Sequence, residues 1–245
     1  MPLWSAVLGL SIVGSIGGVL TASLLLLLHE PARRRVVPWL VSYAVGTLLG
    51  AAVLNLLPES LERVGPRPAL GLMLAGIFTF FILEKLVLWR HSHDDEEHRS
   101  PHHTTATLVL VGDALHTFVD GVVIAASALV SLPFAVTTAV AAAAHEIPQE
   151  AGDFAVLLAA GYTRRRAFVL NVTSGLAAVG GATAMLAFGG ALPGVVPYVL
   201  AFAAGNFMYV AMADLIPHLH HGTVDRNALR QIVLAGLGVL TVVVL

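Results

Sequence analysis

The sequence contains no cysteine and little charge, and both absences limit what the chain can be. Among its 245 residues there is no thiol, so disulfides and thiolate metal sites are excluded. Any metal site must therefore use histidine, carboxylate, amide or methionine ligands. Charged residues make up 11% of the chain and hydrophobic residues 57%, with a mean hydropathy of +0.85. A soluble domain of this size does not need so much apolar surface, so the composition indicates a membrane protein.

Long apolar runs predict an all-α membrane protein with eight transmembrane helices in a single domain, residues 1–245. Each run can cross a hydrocarbon core of about 30 Å. No basic residue precedes the first run, which we interpret as a helix rather than a cleavable signal. The predicted spans are Leu3–Leu28, Val37–Leu61, Ala69–Trp89, Ala106–Leu132, Phe134–Ala160, Ala167–Ala191, Val195–Pro217 and Leu229–Leu245.

The basic residues predict an orientation. If the first connection is cytoplasmic, only Arg63 and Arg67 of the thirteen lysines and arginines lie on the opposite side. Membrane proteins concentrate positive charge in their cytoplasmic connections. We therefore expect a protein of the cell membrane with basic loops in the cytoplasm and both termini outside.

Two segments of the chain match each other. Gly46–Pro58 (GTLLGAAVLNLLP) aligns without gaps to Gly205–Pro217 (GNFMYVAMADLIP). The helices that contain them have opposite predicted orientations. The match predicts an inverted repeat of helices 1–3 and 6–8 around helices 4 and 5, an organisation typical of transporters. A chance match in so biased a composition is the alternative.

Acidic residues are concentrated where basic residues are missing. There is no lysine or arginine between Arg99 and Arg164, yet the fourth and fifth helices contain several carboxylates and two histidines. At about 100° per residue, those of helix four fall within roughly a 60° arc and those of helix five within roughly 140°. The residues are Asp113, His116, Asp120, His145, Glu146, Gln149, Glu150 and Asp153.

Such charges at membrane depth are costly and need protons, metal ions or a water-filled path. A single residue of this kind is often only a hydrogen-bond partner between helices. Two facing polar stripes instead favour a metal site, in which His116 and Asp120, one helical turn apart, can share an ion. Pro148 predicts a kink in the fifth helix beside them.

These two helices resemble the ZIP (Zrt/Irt-like protein) family of metal transporters. The fourth reads GDALHTFVDGVVIAASAL, similar to that family's His-Asn-x-x-Asp-Gly signature. The fifth reads AAHEIPQEAGDF, similar to the His-Glu-x-Pro-His-Glu-x-Gly-Asp signature of one branch. Other segments resemble that branch too, namely LLPES, GIFTFFILEKLVLWRHSH with the histidine-rich loop after it, and NFMYVAMADLIP.

The resemblance implies an eight-helix transporter whose metal ligands are His116, Asp120, His145, Glu146 and Gln149. In the family, a carboxylate from each helix can bridge two metals. The sequence departs from the pattern at three positions. The family usually has Asn at the position of Thr117 and His or Glu at that of Gln149, and it often has His at that of Asn55. One metal position is therefore expected more firmly than two. Pathway or supporting roles are left for Asn55, Asp113, Thr117, Glu150 and Asp153.

The expected cargo is a divalent transition metal moving into the cytoplasm, with Zn²⁺ preferred and Fe²⁺, Mn²⁺ or Cd²⁺ compatible. Metal would pass near Asn55, bind between helices 4 and 5, and be released when helices 1–3 and 6–8 rock against that pair. We expect no organic cofactor and no nucleic-acid partner; the lipid bilayer surrounds the chain, and a homodimer is compatible with the sequence.

A histidine-rich cytoplasmic loop is predicted over residues 91–105. It could capture metal loosely or serve only as a polar linker. Its candidate ligands are His91, His93, His98, His102 and His103.

Other functions stay open at this stage. A metal exporter, another cation transporter or a sensor could use the same polar stripes. A more distant alternative is an intramembrane metalloprotease, since HEIPQ resembles HExxH, although Gln149 replaces its second histidine. We expect a transporter and not an enzyme.

Overall fold

The described part of the chain is helical throughout. The computed structural model describes residues 3–93, 101–219 and 226–245, with side chains outside 87–105 and 220–227. No strand occurs within these ranges, which confirms the predicted all-α class. The helices are α1 Leu3–Leu25, α2 Glu30–Val64, α3 Pro66–His93, α4 Pro101–Val130, α5 Leu132–Ala159, α6 Arg164–Ala191, α7 Pro193–Leu219 and α8 Arg226–Val244.

Six helices of the described residues are long and apolar enough to cross a membrane, namely α1, α2, α3, α4, α6 and α7. The other two predicted spans are also helical. Helix α5 is long enough at 28 residues, but its histidine, glutamine and acidic residues lower its hydropathy. The apolar part of α8, Ala228–Val244, is shorter. The chain is thus an all-α membrane protein in which six spans are clear by length and composition.

Several helices extend beyond the apolar runs that predicted them. Helix α2 begins at Glu30, α3 continues to His93 and α4 begins at Pro101, so helix occupies both ends of the segment 91–105 predicted as a loop. Hydropathy marks only the apolar part of a helix, whereas the backbone can stay helical into the polar region. The proposed ligands of that loop, His91 to His103, have no described side chains, and residues 94–100 lie outside the described chain altogether.

Glycines hold pairs of helices in close contact. A Cβ atom at Gly46 of α2 would lie 2.0 Å from the carbonyl oxygen of Ala235 in α8. One at Gly205 of α7 would lie equally close, 2.0 Å, to the carbonyl oxygen of Met73 in α3. Close approach through small residues is how helices gain packing contacts in lipid. The same device joins α4 to α6 through Gly121 and Gly181.

Helices α2 and α7 each contain one wide turn. Residues Ala51–Leu56 and Val210–Leu215 are π-helical, and both lie at the same positions of the ungapped match between the two segments. Each is followed by a proline, Pro58 or Pro217, which offers no N–H to the preceding turn and crowds its carbonyl. The repeated sequence therefore produces a repeated local structure.

Candidate metal-binding site

The site is built where α4 and α5 face each other. Only Ser131 separates the two helices. Its hydroxyl accepts a hydrogen bond from the backbone N–H of Phe134 and caps α5, whose first turn contains Pro133. Farther along, the hydroxyls of Ser127 and Thr138 lie 2.9 Å apart and join the helices side by side. This tight connection brings the two polar stripes together.

Four buried side chains form the first group of potential ligands, namely His116 and Asp120 of α4 with His145 and Glu146 of α5. One ligand atom of each lies within 4.8 Å of those of the others. The two Nε2 atoms of the histidines are 2.8 Å apart, and Nε2 of His145 is 3.2 Å from Oδ2 of Asp120. This is the spacing at which one ion can bind all four residues, and imidazole with carboxylate is a common donor set for zinc.

Glu146 also belongs to a second group. Its carboxylate lies within 4.8 Å of those of Asp113 and Glu150, and all three residues are buried. Glu146 is therefore placed between two positions that could each hold a cation.

Three of the four carboxylates, those of Asp120, Glu146 and Glu150, lack ordinary hydrogen-bond partners in the described chain. Asp120 lies at ion-pair distance from the two histidines of its own group. Within the described residues, no oxygen of Asp120, Glu146 or Glu150 accepts a hydrogen bond of good geometry, although all of these oxygens are buried. In the same part of the chain, neither lysine nor arginine pairs with these carboxylates. Buried acceptors are normally satisfied, and leaving them unpaired is costly. Cations are suitable partners for such oxygens.

A helix outside the pair positions Asp113. The hydroxyl of Ser174 in α6 donates a hydrogen bond to Oδ2 of Asp113. The other oxygen, Oδ1, receives longer contacts of 3.4 Å from Thr117 and from the amide nitrogen of Gln149. One oxygen of this carboxylate is thus oriented by α6, and the other faces α5.

Comparison with known proteins follows this geometry. The family model described as the ZIP zinc transporter matches residues 2–103 and 89–245, which together cover nearly the whole chain. This chain belongs to the ZIP family. Zinc transporter ZIP13 of Pongo abelii is 32% identical over 219 residues, covering 83% of this chain and 65% of the relative.

Two human relatives match as well. Zinc transporter ZIP10 is 34% identical over 167 residues, and zinc transporter ZIP4 is 31% identical over 244 residues. The matches cover 62% and 72% of this ZIP chain but only 20% and 38% of those relatives. The chain therefore spans less than two thirds of the length of these relatives.

The other predicted residues of the ZIP chain lie at varying distances from the two groups. Gln149 is half-buried, and its described contact is the one that its amide nitrogen makes with Asp113, so its role as a ligand stays a prediction. Thr117 is buried behind the same carboxylate. Asn55 is partly buried in the π-helical turn of α2, and Asp153 is partly buried one turn after Glu150. Their roles in a pathway also stay predictions.

Pro148 behaves differently from a helix breaker. Helix α5 continues through it from Leu132 to Ala159. Because proline has no N–H, the carbonyl of Ala144 still loses its usual donor. The Nδ1 atom of His145 lies 3.1 Å from the carbonyl of Ala141, one turn earlier, and this contact helps to fix the orientation of the imidazole.

Sequence reasoning missed two aromatic rings beside the candidate site. Phe80 of α3 makes an edge contact with His116 at 6.0 Å between ring centroids, and Phe207 of α7 makes one with His145 at 5.9 Å. Both lie in apolar segments without a distinguishing spacing, so only the packing of α3 and α7 reveals them. They place an apolar surface against the histidine end of the site.

Two small residues were also missed as parts of the site. Ser174 has no motif around it, and its bond to Asp113 spans 61 positions of sequence. Gly18 of α1 also lies in none of the motifs described above. A Cβ atom at Gly18 would lie 2.8 Å from Cβ of Glu146. Gly18 therefore packs against the residue that belongs to both groups of potential ligands.

Proposed function

We propose that this chain transports divalent transition-metal ions, zinc foremost, into the cytoplasm through the site between α4 and α5. The observation that supports this most directly is the buried group of His116, Asp120, His145 and Glu146, whose carboxylates lack other partners. Membership in a transporter family and relatives named as zinc transporters point to the same function.

The donor set supports zinc as the preferred cargo. Two imidazoles and two carboxylates without thiolate suit Zn²⁺, and they are also compatible with Fe²⁺, Mn²⁺ and Cd²⁺. We infer that the first ion binds at this group and that a second, weaker position lies between Asp113, Glu146 and Glu150. Gln149 would contribute its amide oxygen by rotating away from Asp113.

We further propose that all eight helices span the membrane and that helices 1–3 and 6–8 form an inverted repeat. Two observations support this. The π-helical turns of α2 and α7 occupy matched positions. Helix α2 contacts α8 through Tyr43 and Gly46. Helix α7 contacts α3 through the matched residues, Phe202 and Gly205. With the basic connections in the cytoplasm, α4 and α5 cross in opposite directions between the repeats.

The packing favours a division into moving parts that differs from the rocking expected from sequence. Helix α1 packs on α5 at Gly18, α6 packs on α4 at Gly121, and α1 is tied to α6 by a 2.8 Å hydrogen bond from Ser15 to the carbonyl of Gly175. Glycine contacts likewise join α2 to α8 and α3 to α7, and α2 packs directly against α7. We therefore infer that α1, α4, α5 and α6 move together against the other four helices, carrying the metal site with them.

A crosslink tests the division inferred from the packing, and the cysteine-free chain makes the experiment simple. A Cβ atom at Gly175 would lie 2.7 Å from Oγ of Ser15, within reach of a disulfide. In the variant Ser15→Cys/Gly175→Cys, oxidation should leave zinc uptake unchanged because both residues belong to the same moving part. If oxidation instead blocked uptake and reduction restored it, α1 and α6 would move relative to each other and the inferred division would be wrong.

The function itself is tested by zinc uptake into proteoliposomes. The wild-type protein should accumulate zinc, and His145→Ala and Asp120→Ala should each abolish most of that uptake. His29→Ala is a matched control, because His29 is exposed before α2 and its side chain makes no capping hydrogen bond.

Each alternative outcome of that test has a distinct meaning. Variants that transport like the wild type would remove the α4–α5 site. Loss of preloaded zinc without uptake would keep the site and reverse the direction to export. Peptide cleavage without metal uptake would favour the hypothesis of a metalloprotease. The sequence already argues against that hypothesis, because Gln149 stands at the second histidine position of HExxH.

A further inference from the structure

An open groove of about 940 Å³ lies between the first turns of α2 and α8, far in sequence from the metal site. It is lined by two arginines, one tryptophan and three aliphatic residues: Arg35, Trp39, Leu229, Arg230, Val233 and Leu234. The groove is therefore basic at one end and apolar along its wall, with an aromatic ring between.

The two arginines have no acidic partner within the described chain. Ion pairs of arginine in those residues join Arg34 to Glu30 and Arg63 to Glu59, and none includes Arg35 or Arg230. The guanidinium of Arg230 instead lies over the ring of Trp39, 6.0 Å from its centroid. Two cations are thus left facing the same groove without a neutralising group from the described protein.

The apolar wall of the groove is open to its surroundings. Leu229 is 66% exposed, Val233 52% and Trp39 38%. On a helix pair in a membrane, such a surface faces lipid. Tryptophan is favoured at the boundary between acyl chains and headgroups, so Trp39 indicates the depth at which that boundary meets the groove.

We propose that this groove binds an anionic phospholipid, with its phosphate against Arg35 and Arg230 and an acyl chain along Leu229, Val233 and Leu234. Basic pockets between transmembrane helices recognise such headgroups. A free phosphate ion would use the arginines but leave the apolar wall uncovered, and a soluble acidic peptide would not reach a surface that faces lipid.

The groove is preformed because the helices beside it are fixed. Helices α2 and α8 run in the same direction, in contact at Gly46 with Ala235 and at Gly50 with Val242. The hydroxyl of Tyr43 donates a hydrogen bond to Oγ1 of Thr241 at 3.0 Å. A lipid that fits between the basic ends of this pair does not need to separate the helices.

Tryptophan fluorescence tests the proposal without any transport measurement. The chain has three tryptophans, and Trp4→Phe/Trp89→Phe leaves Trp39 as the only one. In liposomes, phosphatidylglycerol with brominated acyl chains should quench Trp39 at a lower mole fraction than brominated phosphatidylcholine. Arg35→Gln/Arg230→Gln in this background should weaken the preference by about fivefold for each arginine, roughly 25-fold in all.

A matched control removes the same charge elsewhere. Arg164→Gln/Arg165→Gln neutralises two exposed arginines at the start of α6, and it should keep the preference for phosphatidylglycerol. Equal quenching by the two lipids, or an equal loss in both double variants, would overturn the proposal. Complete relief of the quenching by millimolar inorganic phosphate would also overturn it, since the site would then recognise the anion alone.

Discussion

Replacing Glu146 by glutamine tests the site most directly, because this residue belongs to both ligand groups. Glutamine preserves the volume of the side chain, so the close packing of α5 against Gly18 is retained. The change removes the negative charge and leaves one carbonyl oxygen as a ligand. Perturbing even the support of a metal ligand typically costs 10- to 100-fold in affinity, and we expect at least that loss for Glu146→Gln.

The loss of zinc affinity can be expressed as a smaller zinc-dependent increase in the free energy of unfolding. A ligand at about 100 times its Kd stabilises the folded protein by about 2.7 kcal/mol. At the same zinc concentration, a tenfold weaker variant gains about 1.4 kcal/mol and a 100-fold weaker one about 0.4 kcal/mol. Without metal, the variant should be no less stable than the wild type, because the oxygens of Glu146 make no hydrogen bond in the described structure that would be lost.

Thermal unfolding of the purified protein, with zinc and with chelator, measures the stability of each variant with and without metal. Glu150→Gln is the companion variant because Glu150 belongs only to the second group. This variant should bind fewer zinc ions but keep the ion that is bound more tightly. If Glu146→Gln kept the full zinc-dependent stabilisation of the wild type, the shared role of Glu146 would be refuted.

Two further substitutions test how neighbouring helices support the site. Gly18→Ala should lower the thermal midpoint by the equivalent of about 1–3 kcal/mol, because its Cβ has no room against α5. Gly9→Ala on the same helix, with no atom within 4 Å of the added Cβ, should not lower it. Ser174→Ala should weaken zinc binding about tenfold by freeing Asp113, whereas Thr173→Ala, which loses only a bond within its own helix, should bind zinc normally. Equal effects within either pair would contradict the reasoning.

The ligand-bearing faces were predictable because helical periodicity fixes which residues of one helix share a side. Asp120 and His116 are one turn apart, so their proximity follows from the helix alone. The meeting of α4 with α5 follows from the short connection at Ser131. These are local properties, and local patterns in a sequence report them well.

Other features depend on packing between distant segments. Phe80 and Phe207 reach the site only because α3 and α7 pack against it. The π-helical turns were not predicted, since apolar residues surround Asn55 and Asp214 and give no period that separates a wide turn from an ordinary one. The start of α2 at Glu30 was missed because hydropathy does not record helix outside the apolar layer.

The missing basic partners have a consequence for charge balance. The two ligand groups together contain four carboxylates, Asp113, Asp120, Glu146 and Glu150, and a region of low dielectric disfavours a large net charge. Two divalent ions would neutralise all four groups, whereas a single ion leaves two negative charges. We therefore expect the site to hold two protons when one ion is bound and four when none is, shared among its carboxylates and its two histidines. Each metal ion that binds would then release about two protons, so that the net charge of the site changes little.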